Sequence, residues 1–369
     1  MIQPLSGLLV VDFTTLLPGP LATLMLAEAG AEVIKLERPG GEEMRALGPF
    51  VDGLSAAFAL LNRGKRSLTV DLKTTEGRQC VETLLRRADV LVEQFRPGVM
   101  DRLGLGYTAV RKINPRLVYC SISGYGQHGP RAEEAGHDLN YIGQTGLLAL
   151  QPGPPERPIV PPALIADIAG GSLPAVINIL LGLRQRESTG EGCHIDVAMA
   201  DAMFTLAWQA LATGYATGRF PGPNELTLAG GSPRYQLYPT RDGKLVACAA
   251  LEQKFWCDFC STIGLADHLV DDGADPAATR AAVAAIIVSQ EADHWRPKFA
   301  AADCCVTIVS SLEDTIHDPH FIGRGLFARA IATPGGSILP ALPVPIAAAF
   351  REPPGTVKPI PHLGEEMPS

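Results

Sequence analysis

Over the first 125 residues, short β-rich runs alternate with stretches of helical pattern, and no other feature of this 369-residue chain restricts its fold as much. Strands joined through a helix must run parallel, with the helices covering the faces of the sheet. Residues 8–13 (LLVVDF) read as a nearly all-apolar strand, Pro18-Gly-Pro20 as a turn, and 21–28 as a helix. Gly30 ends that helix, and 32–36 form the second strand. The pattern recurs at 67–72, a helix over 75–87, 90–95, a turn at Arg96-Pro-Gly98, a short helix after Tyr107, and 117–122. The expected class is α/β, with a Rossmann-like large domain.

Farther along, Asp167 stands where a helix should begin, because 168–186 is helix-compatible and carries charge only near its carboxyl end. Thr189-Gly-Glu-Gly192 turns into a strand at 193–197, and 199–213 reads as one further helix. The Pro/Gly-rich stretch 219–233 marks a boundary. After it the style changes to a hairpin, 235–238 and 244–249 about a turn at Arg241-Asp-Gly243, and then to helices. The expected division is a large domain at 1–218, a linker at 219–233, a smaller α+β domain at 234–325, and a carboxyl-terminal segment at 326–369 returning to the large domain.

Charge narrows the partners. With 31 Lys plus Arg against 39 Asp plus Glu, the net charge is −8, which gives no general attraction to nucleic acid or to anionic lipid. The amino terminus, MIQPLSGLLVVDF, has no basic segment before an apolar one, so a cytoplasmic location is expected. The most apolar stretch, 159–183, contains Asp167, Asn178, prolines and glycines, and is expected to break before membrane-spanning length. Eight scattered cysteines match no disulfide framework, and Cys257 and Cys260 fall in a helix-like segment, so reduced thiols are expected. His317 and His320 lack a third partner, so no metal is expected. The first turn, Thr14 to Pro20, lacks the glycine pattern of a dinucleotide site, and there is no Walker loop, G-x-S-x-G elbow or H-E-x-x-H.

Three segments carry chemistry. In Ala135-Gly-His-Asp-Leu-Asn-Tyr141 a histidine follows a glycine and precedes a carboxylate, a pattern that suits either a structural imidazole or a general base. In Leu164-Ile-Ala-Asp-Ile-Ala-Gly-Gly171 a lone carboxylate sits among apolar residues, as a helix cap or as a base or nucleophile beside free backbone N–H groups. In Ala250-Leu-Glu-Gln-Lys-Phe-Trp256, Glu252 follows a strand and opens a helix, where a cap is the plain alternative.

In order, these segments resemble the family III CoA-transferases, and more narrowly their α-methylacyl-CoA racemase branch. The residues that carry the resemblance include PLSGLLVVDF, GAEVIKLERP, NRGKRS, DLK, FRPGVMDRLGLGY and SGYGQHGP in the first 130 positions. They continue with GHDLNY, ADIAGG, STGEGCHIDVAMAD, GGSPRYQLYPTRDGK and LEQKFW. The resemblance implies a homodimer of two interlocked chains, each site assembled from both. It implies that His137 and Asp167 act as two bases on opposite sides of the substrate, supported by Glu252. It places coenzyme A at Arg38, Lys73, Arg96 and Arg102, near Leu72, Gly136 and Tyr141.

The reaction implied is inversion of the α-carbon of 2-methyl-branched acyl-CoA thioesters by 1,1-proton transfer through an enolate. Helix-start N–H groups at Asp167 are expected to stabilise that enolate. No metal or redox cofactor is implied; the partners are the acyl-CoA and a second copy of the chain. The alternative is a CoA-transferase in which Asp167 carries the acyl group as a mixed anhydride. In such transferases no histidine stands at the GHD position, and the formyl-CoA transferases among them have a glutamine where this chain has Leu17. A protein that binds acyl-CoA with idle catalytic residues is a third, non-enzymatic possibility. The chain ends soon after Glu365, where many relatives continue, so a shortened carboxyl end is expected.

Overall fold

The computed structural model describes residues 3–151, 153–154 and 156–365. Six parallel strands form the main sheet: β1 (Leu9–Asp12), β2 (Glu32–Glu37), β3 (Arg66–Thr69), β4 (Val90–Glu93), β5 (Val118–Ser123) and β6 (His194–Ala198). Their spatial order is 3-2-1-4-5-6. All residues of β1, β4 and β5 are buried, as a sheet covered on both faces requires. The register, with Val10 opposite both Val33 and Val90, puts apolar side chains side by side across the centre. Strand order reverses between β1 and β4, so the loops that follow these strands diverge and open a crevice at their carboxyl ends.

Helix α1 (Pro18–Glu28) starts on Pro18, whose missing N–H costs nothing at a first turn, and every residue in it is buried. A helix apolar on all sides belongs inside. Helix α2 (Asp138–Gln144) follows the GHD segment. Helix α3 runs from Ala166 to Thr189, its first residues, Ala166–Ser172, in π-helical turns and Leu173–Thr189 in α-helix.

Two expectations fail here. Asp167 does not cap α3, since the capping position falls on Ile165 and Asp167 already lies inside the helical run. Nor is the apolar stretch interrupted at Gly170, Gly171, Pro174 or Gly182; only its lead-in, with Pro161 and Pro162, lies outside the helix. Pro174 sits in the first turn of the α-helical part, and Gly170 packs where a Cβ would meet the Met199 carbonyl oxygen at 2.3 Å. The resulting 24-residue helix is long and apolar enough to cross a membrane by length and composition, and 44% of its most apolar window is buried within the fold.

Of the described residues, those up to Thr145, those from Pro161 to Leu206, and those from Asp318 onward form one compact unit; Gly146–Val160 and Ala207–His317 form another. In the first unit the chain after Asp318 builds a three-stranded sheet of β10 (Ala330–Ala332), β11 (Ile338–Pro340) and β12 (Val357–Pro359). Ile331, Ala341 and Ile360 of this region pack against Phe58 and Ala59.

The second unit holds the antiparallel strands β7 (Tyr235–Pro239), β8 (Leu245–Ala249) and β9 (Val306–Ile308). Helix α4 (Gln253–Ile263) contributes Trp256 and Phe259 to a core that also contains Trp295 and Phe299. The single helix expected over 199–213 is two helices, Asp201–Leu206 and Trp208–Thr217, separated at Ala207, where ψ turns to 15°.

Candidate active site

The crevice at the carboxyl ends of β1, β4 and β5 contains a cavity of about 440 Å³ lined by His137, Asp167, Tyr141, Gly136, Arg96 and Gln94, among others. Local chemistry presents His137 there. It stands just before α2 in extended conformation, its N–H donating to Asn140 Oδ1 at 3.0 Å, while the Asn140 N–H returns to the His137 carbonyl at 2.8 Å. Both bonds use the backbone of His137, and the residue is exposed. Gly136 admits the Tyr141 ring, since a Cβ on it would lie 2.7 Å from Tyr141 Cε1. The Tyr141 hydroxyl donates to the Gly136 carbonyl, which ties the first turn of α2 to the residue before His137. Burial, with help from the Asp167 charge, pushes that hydroxyl's pKa up to about 12, so it remains a proton donor.

Asp167 comes from α3, thirty positions away. Burial pushes its carboxyl up to about 6, the charge of Asp138 raises it further in the same direction, and His137 acts in opposition. Asp138 is itself buried and accepts the Asp167 N–H on Oδ1 at 3.0 Å. The Ile168 N–H donates to the Leu164 carbonyl at 3.1 Å. These two amides are therefore occupied, and the enolate-stabilising role expected of them does not hold.

A second cavity of about 810 Å³ opens beside the first and is lined by Arg38, Leu72, Lys73, Arg96, Leu16 and Phe95, among others. Leu16, Phe95 and Arg96 line both cavities. The structure thus brings Arg38, Leu72, Lys73 and Arg96 together in one cavity and Arg96, Gly136 and Tyr141 together in the other. Arg102 is exposed and lines neither. Glu252 immediately precedes α4 in the second unit, exposed, and makes no capping hydrogen bond, so the plain role of a cap is not the one it fills.

Sequence reasoning passed over Glu93. Burial pushes its carboxyl up to about 7, with Asp101 and Asp196 adding to the rise, while hydrogen bonds from Ser121 and the Phe95 amide lower it. Its Oε2 accepts the Phe95 N–H at 2.8 Å, next to the residues shared by both cavities. The available signal was an acidic residue ending the apolar run VLVE. Asp138 also went unassigned, because nothing local shows that its side chain reaches a backbone amide 29 positions away.

Residues 5–367 match the family described as "CoA-transferase family III". The chain is 34% identical over 359 residues to the acetyl-CoA:oxalate CoA-transferase of Acetobacter aceti, covering 93% of this chain and 89% of the relative. It is 35% identical over 329 residues to the alpha-methylacyl-CoA racemase of Homo sapiens, covering 88% and 82%. Among solved structures, a CAIB/BAIF family protein from Brucella suis superposes with a TM-score of 0.78 at 32% identity, covering 100% of this chain and 97% of that one.

Proposed function

Because the chain belongs to CoA-transferase family III, an enzyme family acting on acyl-CoA, we propose that it is a racemase or epimerase that inverts the α-carbon of 2-methyl-branched acyl-CoA thioesters. The observation that carries this reading is that an imidazole, His137, and a carboxyl, Asp167, line one cavity. Inversion by proton exchange needs one base to take the α-proton and a conjugate acid to return a proton on the opposite face. A carboxyl held near pKa 6 is populated in both protonation states around neutral pH, so it serves either direction. In one direction His137 removes the proton, the electron pair moves onto the thioester oxygen, and protonated Asp167 delivers its proton to the α-carbon. In the other the two exchange roles.

Coenzyme A would be held by Arg38, Lys73 and Arg96, with Leu72, Gly136 and Tyr141 beside it. Arg38 and Lys73 line the larger cavity and Arg96 lines both, which supports phosphates at one end and the thioester at the other. The reading includes two interlocked copies of the chain, with Glu252 supporting the site, and it calls for no metal or redox cofactor.

Incubation in deuterated water with a branched acyl-CoA should exchange the α-proton. A second reading is supported by the oxalate CoA-transferase relative, whose identity is about that of the racemase. There the Asp167 carboxylate attacks the thioester carbonyl, the CoA thiolate leaves, and an acyl-aspartyl anhydride results. Absence of exchange, together with hydroxylamine trapping at Asp167 and CoA appearing on a free carboxylic acid, would replace the first reading by the second.

A further inference from the structure

The loop between β1 and α1 is held from three other places in the fold. Lys35 on β2, wholly buried, donates from Nζ to the Thr14 carbonyl at 2.7 Å and pairs with Glu42 Oε1 at 2.9 Å. Glu42 Oε2 accepts the Leu16 N–H at 2.8 Å. The Gln94 side chain, just past β4, donates to the Thr15 carbonyl at 2.8 Å and accepts the Gly19 N–H at 2.9 Å. Within this frame Leu16 adopts a φ of 60°, the left-handed region that a residue with a branched apolar side chain avoids. Such a conformation persists only where its surroundings over-determine it, and it concentrates at functional sites. Leu16 is also one of the three residues that line both cavities.

We propose that Glu42 is a positioning residue for the thioester arm of the substrate. Through the Leu16 amide, and backed by Lys35, it presets the neck between the larger cavity, which holds Arg38 and Lys73, and the cavity holding His137 and Asp167. A molecule that joins a nucleotide to an acyl group fills both cavities only by threading this neck, and a wall fixed beforehand need not be ordered on binding. The inference rests on the acyl-CoA reading and adds to it how the linking segment is recognised.

The test uses the full-length protein and its acyl-CoA turnover, whether proton exchange or transfer. Leu16→Gly trims the wall, and because glycine adopts a φ of 60° without strain, the backbone bond to Glu42 and the Lys35–Glu42 pair stay in place. The expected result is a KM for acyl-CoA raised about ten-fold, the scale of one ordered element lost from the site. The kcat should change less than two-fold, the melting temperature should not fall, and binding of adenosine 3′,5′-bisphosphate by calorimetry, which reads the larger cavity alone, should hold within two-fold. Glu42→Gln, which keeps an oxygen for the Leu16 amide, should raise KM less than Glu42→Ala. Should Glu42→Ala fail to fold with Lys35 left unpaired, the double variant Glu42→Ala with Lys35→Met, which leaves no unpaired buried charge, decides by the same KM reading. An unchanged KM in Leu16→Gly, or bisphosphate affinity falling in step with KM, overturns the neck while leaving the acyl-CoA reading standing. A wild-type protein that binds neither coenzyme A nor the bisphosphate overturns both.

Discussion

Asp138 Oδ1 accepts the backbone N–H of Asp167 at 3.0 Å, and so a buried carboxylate both fixes the start of α3 and charges the surroundings of the carboxyl beside it. The two effects separate in Asp138→Asn, whose amide oxygen still accepts the N–H but carries no charge. Asp167 should then titrate below its value of about 6. A base that must be deprotonated sets the acidic limb of the kcat/KM profile, so that limb should move to lower pH. A limb that stays where it is in the wild type would remove Asp138 from the electrostatics of the site.

The raised pKa of Asp167 is also a statement about stability. Between its ordinary value of 3.8 and about 6 the folded chain holds this proton more tightly than the unfolded chain, so stability falls as pH rises through that window. Asp167→Asn keeps the shape and removes the charge. At pH 8 it should be more stable than wild type by about 1 kcal/mol, less than the full shift implies because the carboxyl keeps contact with solvent. By pH 4 the two should melt together, and α-proton exchange should be lost at every pH. Melting curves across that range are the measurement; a variant less stable at pH 8 would contradict the argument.

Deeper in the sheet, Lys65 and Asp12 meet at 3.2 Å with both side chains buried. Burial alone would raise the Asp12 carboxyl, but Lys65, Lys35 and the hydroxyls of Thr14 and Thr23 outweigh it and hold the pKa at about 2. The stability this supplies is present above 3.8 and is lost as pH falls toward 2. Lys65→Met strips the nearest cation from a buried carboxylate and should cost about 3–5 kcal/mol in urea unfolding. A cost under about 1 kcal/mol would show that Lys35 alone suffices.

Two glycines should respond in opposite directions to alanine. At Gly170 the new Cβ would stand 2.3 Å from the Met199 carbonyl oxygen, a backbone atom that cannot rotate away. Gly170→Ala should therefore cost about 1–3 kcal/mol and shift Asp167, reducing turnover as well as stability. Gly143 lies within α2, and a methyl group added there would have nothing within 4 Å. Gly143→Ala should stabilise by about 0.5–1 kcal/mol through helix propensity. Thermal melts of the two variants side by side check both.

Much of the fold is legible because its signals are short in range. The run LLVVDF is too apolar to be anything but buried, and its separation from EVIKLE by a helix-length stretch makes the two strands parallel neighbours. The same local logic places Glu252 just ahead of α4, whereas the helix that follows His137 was not read from the sequence. It errs where the outcome depends on what packs alongside. The apolar stretch stays helical through Gly170 and Gly171, where the Met199 carbonyl and the Pro18 side chain leave no room for a Cβ, and no local count of glycines contains those contacts.

The succession of strands and helices along the chain, the βαβ connections and the chemical types available for catalysis were thus written in the chain itself, since periodicity and turn chemistry act over a few residues, whereas the spatial order of the strands was not. The protonation of Asp167 and Glu93, the gathering of Arg38, Lys73 and Arg96 about one cavity that shares lining residues with the cavity of His137 and Asp167, and the left-handed backbone of Leu16 were decided only by the tertiary structure. Each depends on groups brought together from distant positions, Asp138 with Asp167 and Glu42 with Leu16. Burial and Coulomb interactions follow distance in space, and distance in space is not a function of distance along the chain.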